Sequence, residues 1–394
     1  MKNNRKAHIT ALTIAALAGF LTTSCHQKTA TCDFETIKFT FEENPQTLDF
    51  RTLIDTIYEP IVLETTDDCL IGSEISKIAY SNDTIIIADA QTNSIFIFDG
   101  NGKFIKKIHR VGRGPEEYLE LTDVFVCDHH ILVLDYEQSK VCCYNFKGKC
   151  LYHFDCKDGE YIAEHDGRIF IATVWSGCED WNNCLIAEFD HAGNMVNTYF
   201  KAEEKDSKRA VHDGNEFFVK NDNGLDAHLI SKNIVYSLKG NNFEPNYKVD
   251  FGEYEMPDEI TEKGSVYIMD NGYNEIYTHG IIKLIETSRY RFISAYLSKK
   301  YDDQVLVYDK KERQTLNIYS AHFITDSTKL FYGSLYADGD FLTDYYGANI
   351  ISLCKENVWP QKPPKGLERK IQQAANNITV DDNGIIVKIK LRGM

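Results

Sequence analysis

Motifs that announce a reaction are missing from this 394-residue chain. There is no G-x-S-x-G elbow to lift a serine nucleophile above a sheet, and no HExxH or H-x-H pair with metal-ligand spacing. No CxxC pair exists, and no nucleophile sits beside a matched base. The Gly112-Arg113-Gly114-Pro115 run lacks the GK[ST] of a phosphate loop and falls between strands instead of opening a helix. These absences leave no metal and no cofactor expected. Basic stretches are also lacking: 43 Lys and Arg face 59 Asp and Glu, giving a formal net charge of −16 and a pI near 5.2. The densest basic group, Lys103, Lys106, Lys107, Arg110 and Arg113, is a strand with its following link. That balance excludes nucleic acid and an anionic membrane surface as partners.

What is present is repetition. Ile85 to Ile105, IIIADAQTNSIFIFDGNGKFI, returns in outline as ILVLDYEQSKVCCYNFKGKCL from Ile131 to Leu151. Each copy is an apolar run closed by Asp (Asp89, Asp135), a polar link, a second run, a Gly-Lys turn and a third run. Turn glycines follow at Gly148, Gly193 and Gly240. A period of roughly 40 to 50 residues with several strands per repeat is what propeller blades give. Alternating apolar and polar positions with Gly-centred turns favour strands over helices throughout.

In chain order, Lys2, Arg5 and Lys6 followed by the apolar run Ile9 to Leu21 read as a targeting signal. With Cys25 behind it, that end resembles a bacterial lipoprotein signal, in which the Cys is acylated. Residues 1–24 are then the signal peptide, 25–36 a tether, and 37–394 a single domain. YEPIVLET (Tyr58 to Thr65) is a spare strand before the first unit. Four units follow between Ile75 and Phe251, and a fifth resumes at GIIKLIE after an insertion from Gly252 to Thr278. The last unit offers KLFYGSLYA, FLTDYY and GIIVKIKL around a second, Pro-rich insertion, Ile351 to Asn377, with GLERKIQQAANN as its helix. That unit has three strands, so YEPIVLET supplies the fourth and closes the ring. The fold expected is an all-β, six-bladed β-propeller of four-stranded antiparallel blades.

The opening strand, the IADAQTNSIFIFDGNGKFI repeat, the link HRVGRGPEEYLEL and the closing GIIVKIKL together resemble the six-bladed β-propeller lipoproteins of Bacteroidetes, related in shape to NHL-type propellers. The resemblance covers nearly the whole mature chain. Its most specific piece is Val111 to Tyr118, similar to GxGPGEY with Glu116 in place of the third Gly. It implies no established enzyme activity or ligand.

Propeller geometry sorts the loops by face. With strands A to D per blade, B–C and D–A links open on one face, and A–B and C–D turns on the other. VGRGPEEY (D–A), WSGCEDWNN (Trp175 to Asn183, B–C), the Gly252 to Thr278 insertion (D–A) and the Ile351 to Asn377 insertion (B–C) all fall on one face, where a site would be. Trp175 and Trp181, with Tyr118, Tyr273 and Tyr277, could stack on sugar rings or apolar groups, or pack the loops onto the barrel end. Arg110 and Arg113 could clamp a carboxylate, or bridge blades through Glu116, Glu117 or carbonyls. Asp89 and Asp135, at equivalent positions, read as loop caps.

Ten cysteines remain beside Cys25. Export permits pairing, but Cys142-Cys143 does not read as a disulfide framework, and small buried apolar residues are the alternative. Cys143 faces Cys150 if Phe146-Lys147 is a two-residue turn; a bulge at Gly148 breaks that register. Cys178 and Cys184 share one loop and form the second candidate pair.

Two functions from different classes follow. One is a lipid-anchored module of the cell envelope, at the outer membrane on its periplasmic side or the cell surface. Its loop-rich face would hold a glycan, peptide or envelope protein through Arg110, Arg113, Glu117, Tyr118, Trp175, Trp181 and Tyr273. The other is a glycan hydrolase or lyase using Glu116, Glu117, Glu179 or Asp180 as acid and base.

Overall fold

The computed structural model describes residues 34–393 except 43–45, 48–52, 58–59, 82, 174–176, 204–216, 222–223, 230–232, 279, 298–300, 321–335, 339–340, 362 and 364–367. Over these the chain is a six-bladed β-propeller. After four short N-terminal strands, blade 1 comprises β5 (Ile75–Ser81), β6 (Thr84–Asp89), β7 (Ser94–Asp99) and β8 (Phe104–Ile108), paired antiparallel in that order. Blade 2 is β9 (Asp123–Val126), β10 (His130–Asp135), β11 (Lys140–Asn145) and β12 (Cys150–Asp155). Blade 3 is β13 (Tyr161–His165), β14 (Arg168–Ala172), β15 (Cys184–Phe189) and β16 (Met195–Lys201). Blade 4 runs β17 (Phe218–Asn221), β18 (Gly224–Leu229), β19 (Ile234–Lys239) and β20 (Asn242–Asp250); blade 5 runs β21 (Ile281–Glu286), β22 (Tyr290–Leu297), β23 (Tyr301–Asp309) and β24 (Gln314–Ser320). Blade 6 takes β25 (Tyr336–Asp338), β26 (Phe341–Tyr346) and β27 (Ile385–Leu391) from the C-terminal part of the chain. Each blade's first strand neighbours the next blade's first strand, and β25 meets β5, which closes the ring.

The middle strands explain why the repeats are so apolar. Ile85–Ala88 of β6 and Ile95–Phe98 of β7 are buried on both faces, because each blade is sandwiched between two others. Outer strands cover one face only, and β8 is accordingly part-exposed. Core clusters therefore form between blades, as where Ile86, Ile95 and Ile97 of blade 1 meet Val124, Ile131 and Val133 of blade 2.

The C–D turns are built by a recurring device. Asp99, Asn145 and Asp190 each accept N–H groups two and four residues on, from Asn101 and Lys103 (both 2.9 Å), Lys147 and Lys149 (both 3.0 Å), and Ala192 and Asn194 (both 2.9 Å). The glycine inside each turn has a positive φ, 83° at Gly102 and 80° at Gly193. It also approaches the outer strand of the preceding blade. A Cβ at Gly193 would lie 2.4 Å from Phe154, and one at Gly102 2.3 Å from the Val62 carbonyl oxygen. Glycine is required twice over, by dihedral and by space.

Ring closure uses more N-terminal chain than the sequence suggests. β3 (Ile54–Ile57) and β4 (Ile61–Val62) both pair with β27 as the outer strand of blade 6, so Ile61–Val62 is the part of YEPIVLET that is paired. Upstream, β1 (Glu35–Lys38) pairs parallel with β20 of blade 4, and β2 (Gln46–Thr47) pairs parallel with β24 of blade 5. Glu35 and Thr36, expected in the tether, are thus part of a sheet. The N-terminal segment straps the rims of blades 4, 5 and 6 in turn, burying Ile37, Phe39 and Phe41.

The nine described cysteines are all reduced. Gly148 takes the bulged turn, so Cys143 faces Tyr152 and Tyr144 faces Cys150. Cys178 and Cys184 close their loop by a backbone bridge instead of a disulfide. Cys25 and Cys32 lie outside the described residues.

Candidate functional site

Two insertions and two elaborated links share the B–C and D–A face, as the strand order requires. The VGRGPEEY link is held rigidly by its own side chains and by blade 2. Glu117 Oε2 accepts the Gly114 N–H at 2.7 Å, and a Cβ at Gly112 would run into that carboxylate. Lys140 donates to the Gly114 carbonyl (2.9 Å), Gln138 to that of Gly112 (3.0 Å) and the Tyr144 hydroxyl to that of Glu116 (2.7 Å). Tyr118 is fully buried, its hydroxyl donating to the carbonyls of Asn93 and Ile108, and burial pushes its phenol well above the ordinary value. Tyr118 therefore offers no platform to a ligand, and Glu117 acts as a turn cap. Arg110 reaches the Gly148 carbonyl of blade 2 at 3.2 Å, the bridging alternative. Arg113 is exposed, with no hydrogen bond or ion pair among the described residues.

The blade 3 loop divides the two tryptophans. Trp175 lies outside the described residues. Trp181 is only 2 % exposed, packed edge-on against Phe189 with centroids 6.4 Å apart, so it anchors the loop. It also backs a groove of about 560 Å³ between blades 2 and 3, lined by Gln138, Asp155, Lys157, Asp180 and Met195. Of the four carboxylates considered for glycan chemistry, Glu116, Glu179 and Asp180 are exposed and Glu117 is the half-buried cap.

The insertion after blade 4 is different in character. Short helices α1 (Asp258–Thr261) and α2 (Ser265–Asp270) lead to a 3₁₀ turn at Tyr273–Glu275. Buried Thr261 and Ile268 seat it, and Tyr254 packs edge-on against Phe41 of the N-terminal strap at 5.4 Å. On this support Tyr267, Tyr273 and Tyr277 form a continuous stack, with centroids 5.8 and 6.4 Å apart and planes within 30°. Lys263 caps one end, its Nζ 4.8 Å from the Tyr267 centroid. Hydrogen bonding to Tyr267 raises the Tyr273 phenol above its ordinary value. Around the stack, Val266, Met269 and Ile276 are 67 %, 56 % and 53 % exposed. Tyr273 and Tyr277 were legible as loop aromatics; Tyr267 and the apolar trio lay inside a stretch with no recognisable period. The second insertion is packed down instead: Ile351, Cys354, Trp359, Ile371 and Ala375 join the core under blades 5 and 6.

Asp89 and Asp135 are loop caps. Asp89 accepts from the N–H groups of Gly72 and Gln91 and the Thr92 hydroxyl, and Asp135 from the N–H groups of Leu119 and Gln138. A larger polar network, unforeseen from the sequence, lies between blades 4 and 5. Arg291 Nη1 donates to Glu35 of the strap (2.7 Å), its Nε to Glu286 (3.2 Å), and its guanidinium sits 3.8 Å over the Tyr247 ring. The Tyr247 hydroxyl donates to Glu286 at 2.6 Å, and Lys310 lies 3.3 Å from the same carboxylate. Nearby Asp226, 2 % exposed, is pushed up to about 6 by burial and by the Glu286 charge. Burial would raise Glu35 too, but hydrogen bonds from Tyr308 and Arg291 hold it below the usual carboxylate range.

A family model described as "Domain of unknown function (DUF4934)" matches residues 34–390. The sequence is not significantly similar to any curated protein. Among solved structures, the fold is similar to that of a protein from Bacteroides fragilis described as exported, at 18% identity and TM-score 0.72, covering 91% of this chain and 99% of that one. A DUF4221 family member from Bacteroides vulgatus is similar at 14% identity and TM-score 0.49, over 86% of this chain and 97% of that one. The first likeness is one of fold. No helix among the described residues is long and apolar enough to cross a membrane.

Proposed function

This chain belongs to the DUF4934 family, whose function is unknown, and we propose that it is an exported, lipid-anchored binding module that docks a protein partner on its loop-rich face. The observation that carries the reading is the Tyr267–Tyr273–Tyr277 stack, flanked by exposed Val266, Met269 and Ile276. Tyr and Met are enriched in interface cores, and a rigid aromatic stack loses little conformational entropy on contact. The surrounding insertion is acidic, with Asp258, Glu259, Glu262, Asp270 and Glu275 against Lys263, so the complementary rim on the partner is basic. The four carboxylates considered for the hydrolytic alternative do not favour it, since Glu117 is committed to its turn and the other three are exposed.

Affinity capture from detergent-solubilised envelope with the full chain supplies the partner, and a binding titration tests it. Tyr273→Ala is expected to weaken binding by about 2 kcal/mol, roughly 30-fold, as central aromatic truncations do. Its melting temperature should stay within about 2 °C of wild type, and Val62→Glu, on the outer strand of blade 6, should leave affinity unchanged. Equal affinity in Tyr273→Ala, or capture of a glycan on an array where no protein binds, sinks the proposal. The anchor is tested separately. Cys25→Ser is expected to move the protein from the detergent phase to the aqueous phase on partitioning. Continued detergent partitioning of that variant refutes lipidation at Cys25.

A further inference from the structure

On the face opposite the insertions, the seam between blades 2 and 3 gathers donors of three kinds. Cys127 lies in the A–B turn of blade 2 and His130 opens its second strand. Glu164 is near the end of β13, and His191 sits in the C–D turn of blade 3. One donor atom from each of Cys127, His130 and Glu164 falls within 4.8 Å of the other two. His130 Nε2 is 2.8 Å from Glu164 Oε2, and His191 Nε2 is 3.7 Å from the same oxygen. The two imidazoles approach with centroids 6.3 Å apart, and the His191 ring is stacked on Tyr152 at 5.3 Å, which sets its plane. The Cys127 side of the set is fixed by its backbone N–H donating to the His130 carbonyl at 2.9 Å, which closes a C-x-x-H turn.

We propose that Cys127, His130, Glu164 and His191 form a zinc site that pins blade 2 to blade 3. A tetrahedral zinc takes nitrogen and oxygen at about 2.0–2.2 Å and thiolate sulfur at about 2.3 Å, so its donors stand roughly 3.4–3.8 Å from one another. Around an ion the His130–Glu164 pair, at 2.8 Å, opens, while His191, already 3.7 Å from Glu164, and Cys127 close in on the other donors. One thiolate, two imidazoles and a carboxylate suit zinc over magnesium or calcium, which prefer all-oxygen shells. Four protein donors close the coordination sphere, so the site is structural and leaves no position for a reacting water. Binding releases the Cys127 proton to solvent, and both imidazoles coordinate through the nitrogen that now faces Glu164.

The test uses the full chain in detergent, stripped with chelator and titrated with cobalt(II) and then zinc(II). One equivalent of cobalt is expected to give a sulfur-to-metal charge-transfer band that zinc bleaches and that Cys127→Ser abolishes. Zinc affinity should fall at least ten-fold in His191→Ala. That side chain is nearly half exposed, so its metal-free variant should melt as wild type does. A charge-transfer band that persists in Cys127→Ser places the thiolate elsewhere and overturns the proposal. Equal zinc affinity in wild type and His191→Ala overturns it as well.

Discussion

Replacing Arg291 by alanine is expected to cost about 3–5 kcal/mol of stability, because it leaves buried carboxylates without their principal cation. Arg291 is 8 % exposed and serves Glu286 and Glu35 together, while Asp226 and Glu286 repel one another across the same interface. Among the described residues, Lys310 would remain as the cation beside Glu286, with the Tyr247 hydroxyl as its other partner. In a domain of this size the loss should lower the melting temperature by roughly 4–7 °C. Arg313 also contacts Glu35, at 3.2 Å, but its side chain is 73 % exposed, and Arg313→Ala is expected to cost under about 1 kcal/mol. Similar losses in the two variants would contradict this assignment of the network. Asp226 titrates higher in the folded state than in the unfolded chain, so folding takes up a proton between pH values of about 3.9 and 6. Stability from that group falls as pH rises through this window. In Arg291→Ala, Glu35 loses one of the hydrogen bonds that hold it low against burial, so its carboxyl should move upward too, and the variant should regain more stability than wild type between pH 7 and pH 5.

Removing the strap should have the larger effect. A chain beginning at Leu63 lacks β1 to β4, leaving β27 without its outer partner and the rims of blades 4 and 5 uncovered. Ile37, Phe39 and Phe41 are each at most 5 % exposed and pack with Phe251, Tyr247 and Val249. Fully burying such a side chain is worth about 1.5–3 kcal/mol, so these three alone approach the net stability of a typical domain. The Leu63 chain is expected to give no cooperative thermal transition, whereas one beginning at Phe34 should melt as the full chain does. A synthetic peptide covering 34–62 should restore the transition when added in excess. An unaltered melt for the Leu63 chain would show that the strap is dispensable.

Local chemistry explains which expectations held. Asp89 and Asp135 were legible as caps because an Asp closing an apolar run before a turn has N–H groups within reach of its own oxygens. The turn glycines were legible because only Gly takes their positive φ without strain. The Cys143–Cys150 pairing hung on one residue of register, which the bulge at Gly148 decided. Tyr118 and Trp181 show where reading stops, since a loop aromatic has the same sequence whether it faces solvent or plugs a seam. Burial is set by what the folded ring brings against it, here Asn93 and Ile108 of blade 1 for Tyr118 and Phe189 at the far end of the next strand for Trp181.

The sequence by itself therefore determined the blade count, the strand order and the face on which insertions emerge. These rest on a side-chain period of two and on turn chemistry spanning four or five residues. Tertiary structure alone decided the strap, the Arg291 network, the tyrosine stack and the donor set at the seam of blades 2 and 3. Glu35 meets Arg291 from 256 residues away, and Cys127 meets Glu164 across two blades. No local period encodes such meetings, because they depend on how the closed ring brings side chains of separate blades face to face.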